Sequence, residues 1–108
     1  MFTIKRNDLK PNLQARCTEG DTPVDISQAE SARVIIANRL GNKVDAAVTI
    51  LDDGTEGLRG LWEYEWAEGD TDVAGDFRIE VEVTWPGGAP QTFPSGGYET
   101  VRITKDLD

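Results

Sequence analysis

Apolar and polar residues alternate along most of this chain with a period of two, the spacing that puts successive side chains on opposite faces of a strand. The clearest run is FRIEVEVTW: Phe77, Ile79, Val81, Val83 and Trp85 share one phase, and Arg78, Glu80, Glu82 and Thr84 the other. One apolar and one charged face is the pattern of an antiparallel strand with one side in water. Trp62, Tyr64 and Trp66 alternate with Glu63 and Glu65 in the same way. Val44, Ala46, Val48 and Ile50 predict a third strand, ended by Asp52-Asp53-Gly54. Ala32, Val34 and Ile36 predict a fourth, with Leu40-Gly41-Asn42 as a hairpin turn into Val44. Shorter runs stand at Phe2 to Lys5, Leu13 to Thr18, Gln91 to Phe93 and Tyr98 to Thr104. Turn chemistry separates them: Glu19-Gly20-Asp21-Thr22-Pro23, Pro86-Gly87-Gly88-Ala89-Pro90 and Pro94-Ser95-Gly96-Gly97. Ile26 to Ser31 predicts the lone helical turn, with Ser27 as its cap.

Seven or eight short strands in 108 residues predict an all-β fold, an immunoglobulin-like two-sheet antiparallel sandwich. A small closed β-barrel is the alternative, because periodicity does not count sheets. With no linker, repeat or low-complexity stretch, residues 1–108 are expected to form a single domain.

Charge narrows the partners. A net charge of −9 opposes phosphate neutralisation, so neither nucleic acid nor an anionic membrane surface is an expected partner. The charge is uneven: residues 1–43 carry seven Lys/Arg against five Asp/Glu, residues 44–108 four against fifteen. That asymmetry is compatible with head-to-tail docking on copies or partners. The absence of histidine removes Ser-His-Asp and Cys-His catalysis, His-ligated zinc and a histidine pH switch. The single cysteine, Cys17, stands in phase with Leu13 and Ala15 and reads as a small core residue. With no apolar leader and no membrane-spanning run, a chain folded in the cytoplasm is expected.

Three groups of residues are candidates for chemistry. Glu63 and Glu65 share one strand face about 7 Å apart, a separation that would suit an inverting glycosidase pair. Since Trp62, Tyr64 and Trp66 take the core phase, both glutamates, like Glu80 and Glu82, are expected to face water. If the two rows lay on neighbouring strands, like charges would oppose each other, and a basic partner surface could relieve them. The tryptophans suit either core packing or a sugar-binding platform, with Trp66 and Trp85 expected to be partly exposed near strand ends. The stretch DTDVAGDF offers Asp70, Asp72 and Asp76 to a calcium ion, which needs about six to eight oxygen ligands. Three aspartates fall short of that number, with no Glu at the spacing an EF-hand loop requires, and a strand-to-strand corner is the preferred reading: polar residues turn the chain, Gly75 admits a positive φ and Phe77 opens the next strand.

The order of these segments resembles the N-terminal domain of the phage baseplate upper protein family. In that family a short strand is followed by a polar turn, a second strand and a G-x-P-V-D-L-T/S segment. Lys5-Arg6-Asn7-Asp8 and Thr22-Pro23-Val24-Asp25-Ile26-Ser27 stand at those places. WEYEW followed by EGDTDVAGDF (residues 62–66 and 68–77) is similar to the family's Y-x-W-x-x-G-D-T-D-x-A-G-x-Y/F, and Gln91-Thr92-Phe93-Pro94 with Gly97-Tyr98 to its tail. Phe77 stands near the position of the tyrosine corner of immunoglobulin domains, without the hydroxyl. The resemblance implies an immunoglobulin-like sandwich serving, without cofactor or enzymatic activity, as a structural component of a tailed-phage or prophage particle. Its implied location is the virion and its implied partners are other tail or head–tail proteins in multiple copies. Longer relatives use this domain to anchor a fibre or receptor-binding apparatus; the present chain stops at Asp108. Charge and strand phase nominate Arg33, Arg39, Glu63, Glu65, Glu80 and Glu82, with the N-terminal strand, as contact residues. The competing expectations are a carbohydrate-binding sandwich for host-surface glycans and a carboxylate hydrolase, which would lose activity in Glu63→Gln or Glu80→Gln.

Overall fold

A computed structural model describes residues 1–93 and 99–105. The Pro94-Ser95-Gly96-Gly97 turn and the expected strand start at Tyr98 lie outside the described residues.

The chain is all-β, in more than one sheet, and among the described residues no sheet closes into a barrel. The strands are β1 (Phe2–Lys5), β2 (Leu13–Arg16), β3 (Thr18–Glu19), β4 (Thr22–Pro23), β5 (Ser31–Asn38), β6 (Gly41–Ala47), β7 (Thr49–Ile50), β8 (Leu61–Tyr64), β9 (Gly75–Thr84), β10 (Pro90–Phe93) and β11 (Glu99–Thr104). Among the described residues eight of these run to four residues or more; β3, β4 and β7 have two each. A six-stranded sheet has the order β1-β11-β9-β5-β6, with β10 also on β9, and a three-stranded sheet has the order β2-β8-β7. A two-stranded ribbon, β3-β4, completes the set. The long β9 shares one flank between β11, along Gly75 to Ile79, and β10, along Val81 to Thr84; its other flank carries β5 from Arg78 to Thr84. One pair departs from the antiparallel expectation: β1 runs parallel to β11, Phe2 opposite Val101 and Lys5 opposite Thr104.

The alternating phases face where their period requires. Phe77, Ile79, Val81 and Val83 of β9 and Ala32, Val34 and Ile36 of β5 meet Leu13 of β2 and Trp62 and Tyr64 of β8 in one buried cluster. Full burial of a large aliphatic side chain contributes about 1.5–3 kcal/mol, so this inter-sheet layer is the main stabilising element. Trp66 is buried as well, correcting the expectation of partial exposure. It packs edge-on against Tyr64 with ring centroids 5.6 Å apart, tilts against Phe2 at 6.0 Å, and donates Nε1–H to the Pro11 carbonyl at 3.1 Å. Trp85 is half-buried, with its Nε1–H on Gln91 Oε1 at 2.9 Å.

The expected helical turn at 26–31 is instead an Asx-type turn. Asp25 Oδ1, not Ser27, is the acceptor, taking the Ser27 backbone N–H at 2.8 Å and its hydroxyl at 2.6 Å. Among the described residues a single 3₁₀ turn occurs, at Glu56–Leu58, and Arg16 spans its end through bonds to the Gly57 and Arg59 carbonyls, both 2.9 Å.

At the lower end of the sandwich, three backbones cross beneath Asp52. The Cys17 N–H donates to the Gly60 carbonyl at 2.8 Å, and the Val24 N–H to the Cys17 carbonyl at 2.9 Å. Asp52, although buried, is charge-compensated: Oδ2 accepts the N–H of Gly60 at 2.7 Å and of Ile26 at 2.8 Å, and Oδ1 that of Gly54 at 2.9 Å. Burial works against its charge, but the three backbone donors outweigh it and hold its pKa below the usual carboxylate value. The neighbouring Cys17 thiol is pushed up to about 12, first by burial and then by the Asp52 charge, so it stays protonated.

Candidate functional site

The other end of the sandwich is organised by the stretch DTDVAGDF. Residues 67–74 carry the chain from the end of β8 in one sheet to Gly75 of β9 in the other, and Asp70, Thr71 and Asp72 each hold a different neighbour. Asp70 Oδ2 accepts the Tyr64 hydroxyl proton, and also the Ala67 N–H at 2.8 Å. Burial, then the hydrogen bond to Asp70, pushes the Tyr64 phenol well above its ordinary value, so it remains a donor. Thr71 has no exposed surface; its hydroxyl donates to the Asp8 carbonyl at 2.9 Å, and its carbonyl accepts the Asn7 N–H at 2.9 Å. Asp72 pairs with Lys43 of β6, and Asp76 with Arg102 of β11 at 2.9 and 3.3 Å. The Arg102 bond holds the Asp76 carboxyl below its usual value. Gly75, at φ 150°, takes a backbone angle rarely open to other residues just before Phe77 turns inward. The three aspartates therefore diverge to separate partners, and among the described residues no group of three or more His, Cys, Asp or Glu is placed to hold a metal ion.

This bracing presents an apolar surface. Arg39 and Leu40 form the tip of the β5–β6 hairpin, where Asn38 Oδ1 accepts the Leu40 N–H at 2.9 Å. The turn residues are thus Arg39-Leu40 rather than Leu40-Gly41-Asn42, and Leu40 is left 89% exposed. Val73, 53% exposed, faces it across a groove of about 180 Å³ lined also by Asn38, Asn42, Lys43 and Phe77. Leu9, on the β1–β2 connection that Thr71 tethers, is the third exposed large apolar side chain at this end. Leu40 and Val73 line one groove, and exposed apolar side chains grouped in this way, rather than scattered singly, suit a contact site.

No family model, curated protein or solved structure matches the chain.

The residues nominated from charge and phase fall on separate surfaces. Arg33, on the outer face of the six-stranded sheet, bridges Asp45 at 2.9 Å and Glu82 at 3.3 Å. Glu80 stands on the same face opposite Ile35. Glu63 lies on the outer face of the other sheet, where Asn12 and Gln14 amides donate to it at 3.0 and 3.1 Å and lower its pKa. Glu65, beyond the end of β8, pairs with Lys10 at 3.8 Å. The two glutamate rows therefore do not lie side by side: β8 and β9 belong to different sheets, and the cross-strand repulsion does not arise. Of the six, Arg39 sits at the apolar end beside Leu40, and Glu65, through Lys10, lies near Leu9 at the same end.

Leu40, Val73 and Thr71 were not legible as site residues. Leu40 continues the core phase of Ala32, Val34 and Ile36, and only the hairpin geometry removes it from the core. The Tyr64–Asp70 link carries a direct expectation. Tyr64→Phe should cost about 1.5–3 kcal/mol, the scale of a hydrogen bond to a charged acceptor. Amide exchange should accelerate across residues 67–74 more than in β5 or β9; equal protection in both proteins would rule the bracing role out.

Proposed function

We propose that this chain is a non-enzymatic structural module of a tailed-phage particle, in the baseplate, tail tip or head–tail connection, and acts by protein–protein assembly. The phage setting comes from the ordered likeness of its segments to the baseplate upper protein N-terminal domain. The observation that carries an assembly role is the loop end, where Val73 stands exposed on a loop tied down by the Tyr64–Asp70 and Thr71–Asp8 hydrogen bonds, and Leu40 stands exposed on a hairpin tip closed by Asn38. Keeping apolar side chains exposed on a rigid frame lowers the entropy lost when a partner covers them. A glycan-binding role lacks that support among the described residues: Trp62 and Trp66 are buried, and Trp85 is half-buried with its ring nitrogen bonded internally.

Quantitative mass spectrometry of purified particles tests the reading. The chain is expected at a fixed copy ratio to the tail proteins. Its absence from particles that contain those proteins would end the proposal.

A further inference from the structure

We infer that the loop end is a self-complementary surface and that its occupant is a second copy of this chain, docked about a two-fold axis. The inference rests on reading that end as an assembly surface and names its partner. Leu40 lines one side of the groove and Val73 the other; Arg39 precedes Leu40 on the hairpin tip, and Asp72 precedes Val73 and is tied to Lys43 of the groove lining. Leu40 is 89% exposed, and Arg39 beside it is exposed and makes no ion pair among the described residues, unlike Arg33 and Arg102. The Asp72 side chain keeps 50% exposure while its Oδ1 meets Lys43. A carboxylate has about four acceptor positions, which leaves room for a second cation. If Leu40 of one copy enters the groove of the other, Arg39 arrives beside Asp72, because each charged residue is the sequence neighbour of its apolar partner. A two-fold axis repeats both contacts, since the knob and the socket belong to the same patch.

The rest of the surface favours this end. Each copy carries −9, and the opposite end exposes Glu19, Asp21, Glu30, Asp53 and Glu56 against Arg16 and Arg59, so it is net acidic and two copies meeting there repel. At the loop end Arg39 and Lys43 offset Asp72. The contact involves loop tips and falls below about 1,200 Å² in total, so the isolated pair should be weak and should gain strength from multiple copies.

Sedimentation equilibrium from low-micromolar to millimolar protein should show a monomer–dimer equilibrium. Leu40→Asp should weaken it about 30-fold or more, the effect of a central contact residue, with no change in thermal midpoint because Leu40 packs against little. Arg39→Glu and Asp72→Lys should each weaken self-association, and a mixture of the two should associate more strongly than either alone, because each unlike pair is then restored. A wild type that stays monomeric, a dimer indifferent to Leu40→Asp, or a mixture no better than its components would overturn the inference. Dimerisation by a chain absent from particles would defeat the phage reading and leave this one standing; a strictly monomeric chain found in particles would do the reverse.

Discussion

Replacing Gly60 with alanine should destabilise the protein by about 4 kcal/mol or more, the range in which single substitutions become exceptional. The residue sits at φ +80°, where a Cβ is strained, and the strain alone costs on the order of 1–2 kcal/mol. Steric crowding costs more. A Cβ built there would lie 2.7 Å from the Cys17 carbonyl oxygen and 3.1 Å from that of Val24. Both are backbone atoms, each fixed by its neighbours: Cys17 donates to the Gly60 carbonyl and Val24 to that of Cys17. Relief requires separating the crossing that also delivers the Gly60 N–H to Asp52. Against a total stability of about 5–15 kcal/mol, the loss should lower the urea midpoint sharply and leave part of the chain unfolded on warming. Gly57 is the internal control: nothing lies within 4 Å of its added Cβ and its φ is not positive, so Gly57→Ala should be neutral or slightly stabilising. If Gly60→Ala unfolded at the same urea concentration as Gly57→Ala, the crossing would not be the constraint described.

The strands were legible because burial of one face imposes a period of two, and that signal is local. Phe77 to Val83 and Ala32 to Ile36 are in the core where their phase puts them. Sheet membership is not local. β8 and β9 follow one another in the chain, yet residues 67–74 carry the chain from one sheet to the other, and nothing in the alternation of Glu63 and Glu65 or Glu80 and Glu82 records it. The parallel pairing of β1 with β11 joins opposite ends of the sequence and likewise leaves no local trace. The corner reading of DTDVAGDF agrees with the chain path. What the sequence could not supply is that each aspartate braces a different element, because the acceptors of a turn and the ligands of an ion are the same residue type. Leu40 shows the same limit from the apolar side: its phase belongs to the core, and a two-residue turn puts it in water.

Asp52 shows that limit at its largest energetic consequence. Asp52-Asp53-Gly54 reads as a surface turn, and Asp53 is indeed exposed, but Asp52 is 5% exposed and accepts three backbone N–H groups. Asp52→Ala leaves the Ile26 and Gly60 N–H groups buried without acceptors, at about 1–3 kcal/mol each, and should cost about 3–5 kcal/mol in all. Asp52→Asn should be milder. Its amide oxygen can replace Oδ2 and keep those two donors, while its NH₂ stands where Oδ1 accepted the Gly54 N–H. The variant loses that bond and the charge, about 1–2 kcal/mol. The two variants also separate in their pH dependence. The folded protein holds the Asp52 carboxyl below its ordinary value of 3.8, so between the folded and unfolded pKa the unfolded chain binds more protons. Its contribution is therefore complete above the unfolded value, and is lost as pH falls from there through the folded one. Urea unfolding across acidic pH should show the wild type losing stability more steeply than Asp52→Asn, so that the two curves converge at the lowest pH. A gap between wild type and Asp52→Asn that stayed constant from neutral pH to below pH 3.8 would mean that the charge on Asp52 contributes nothing to holding the lower end together.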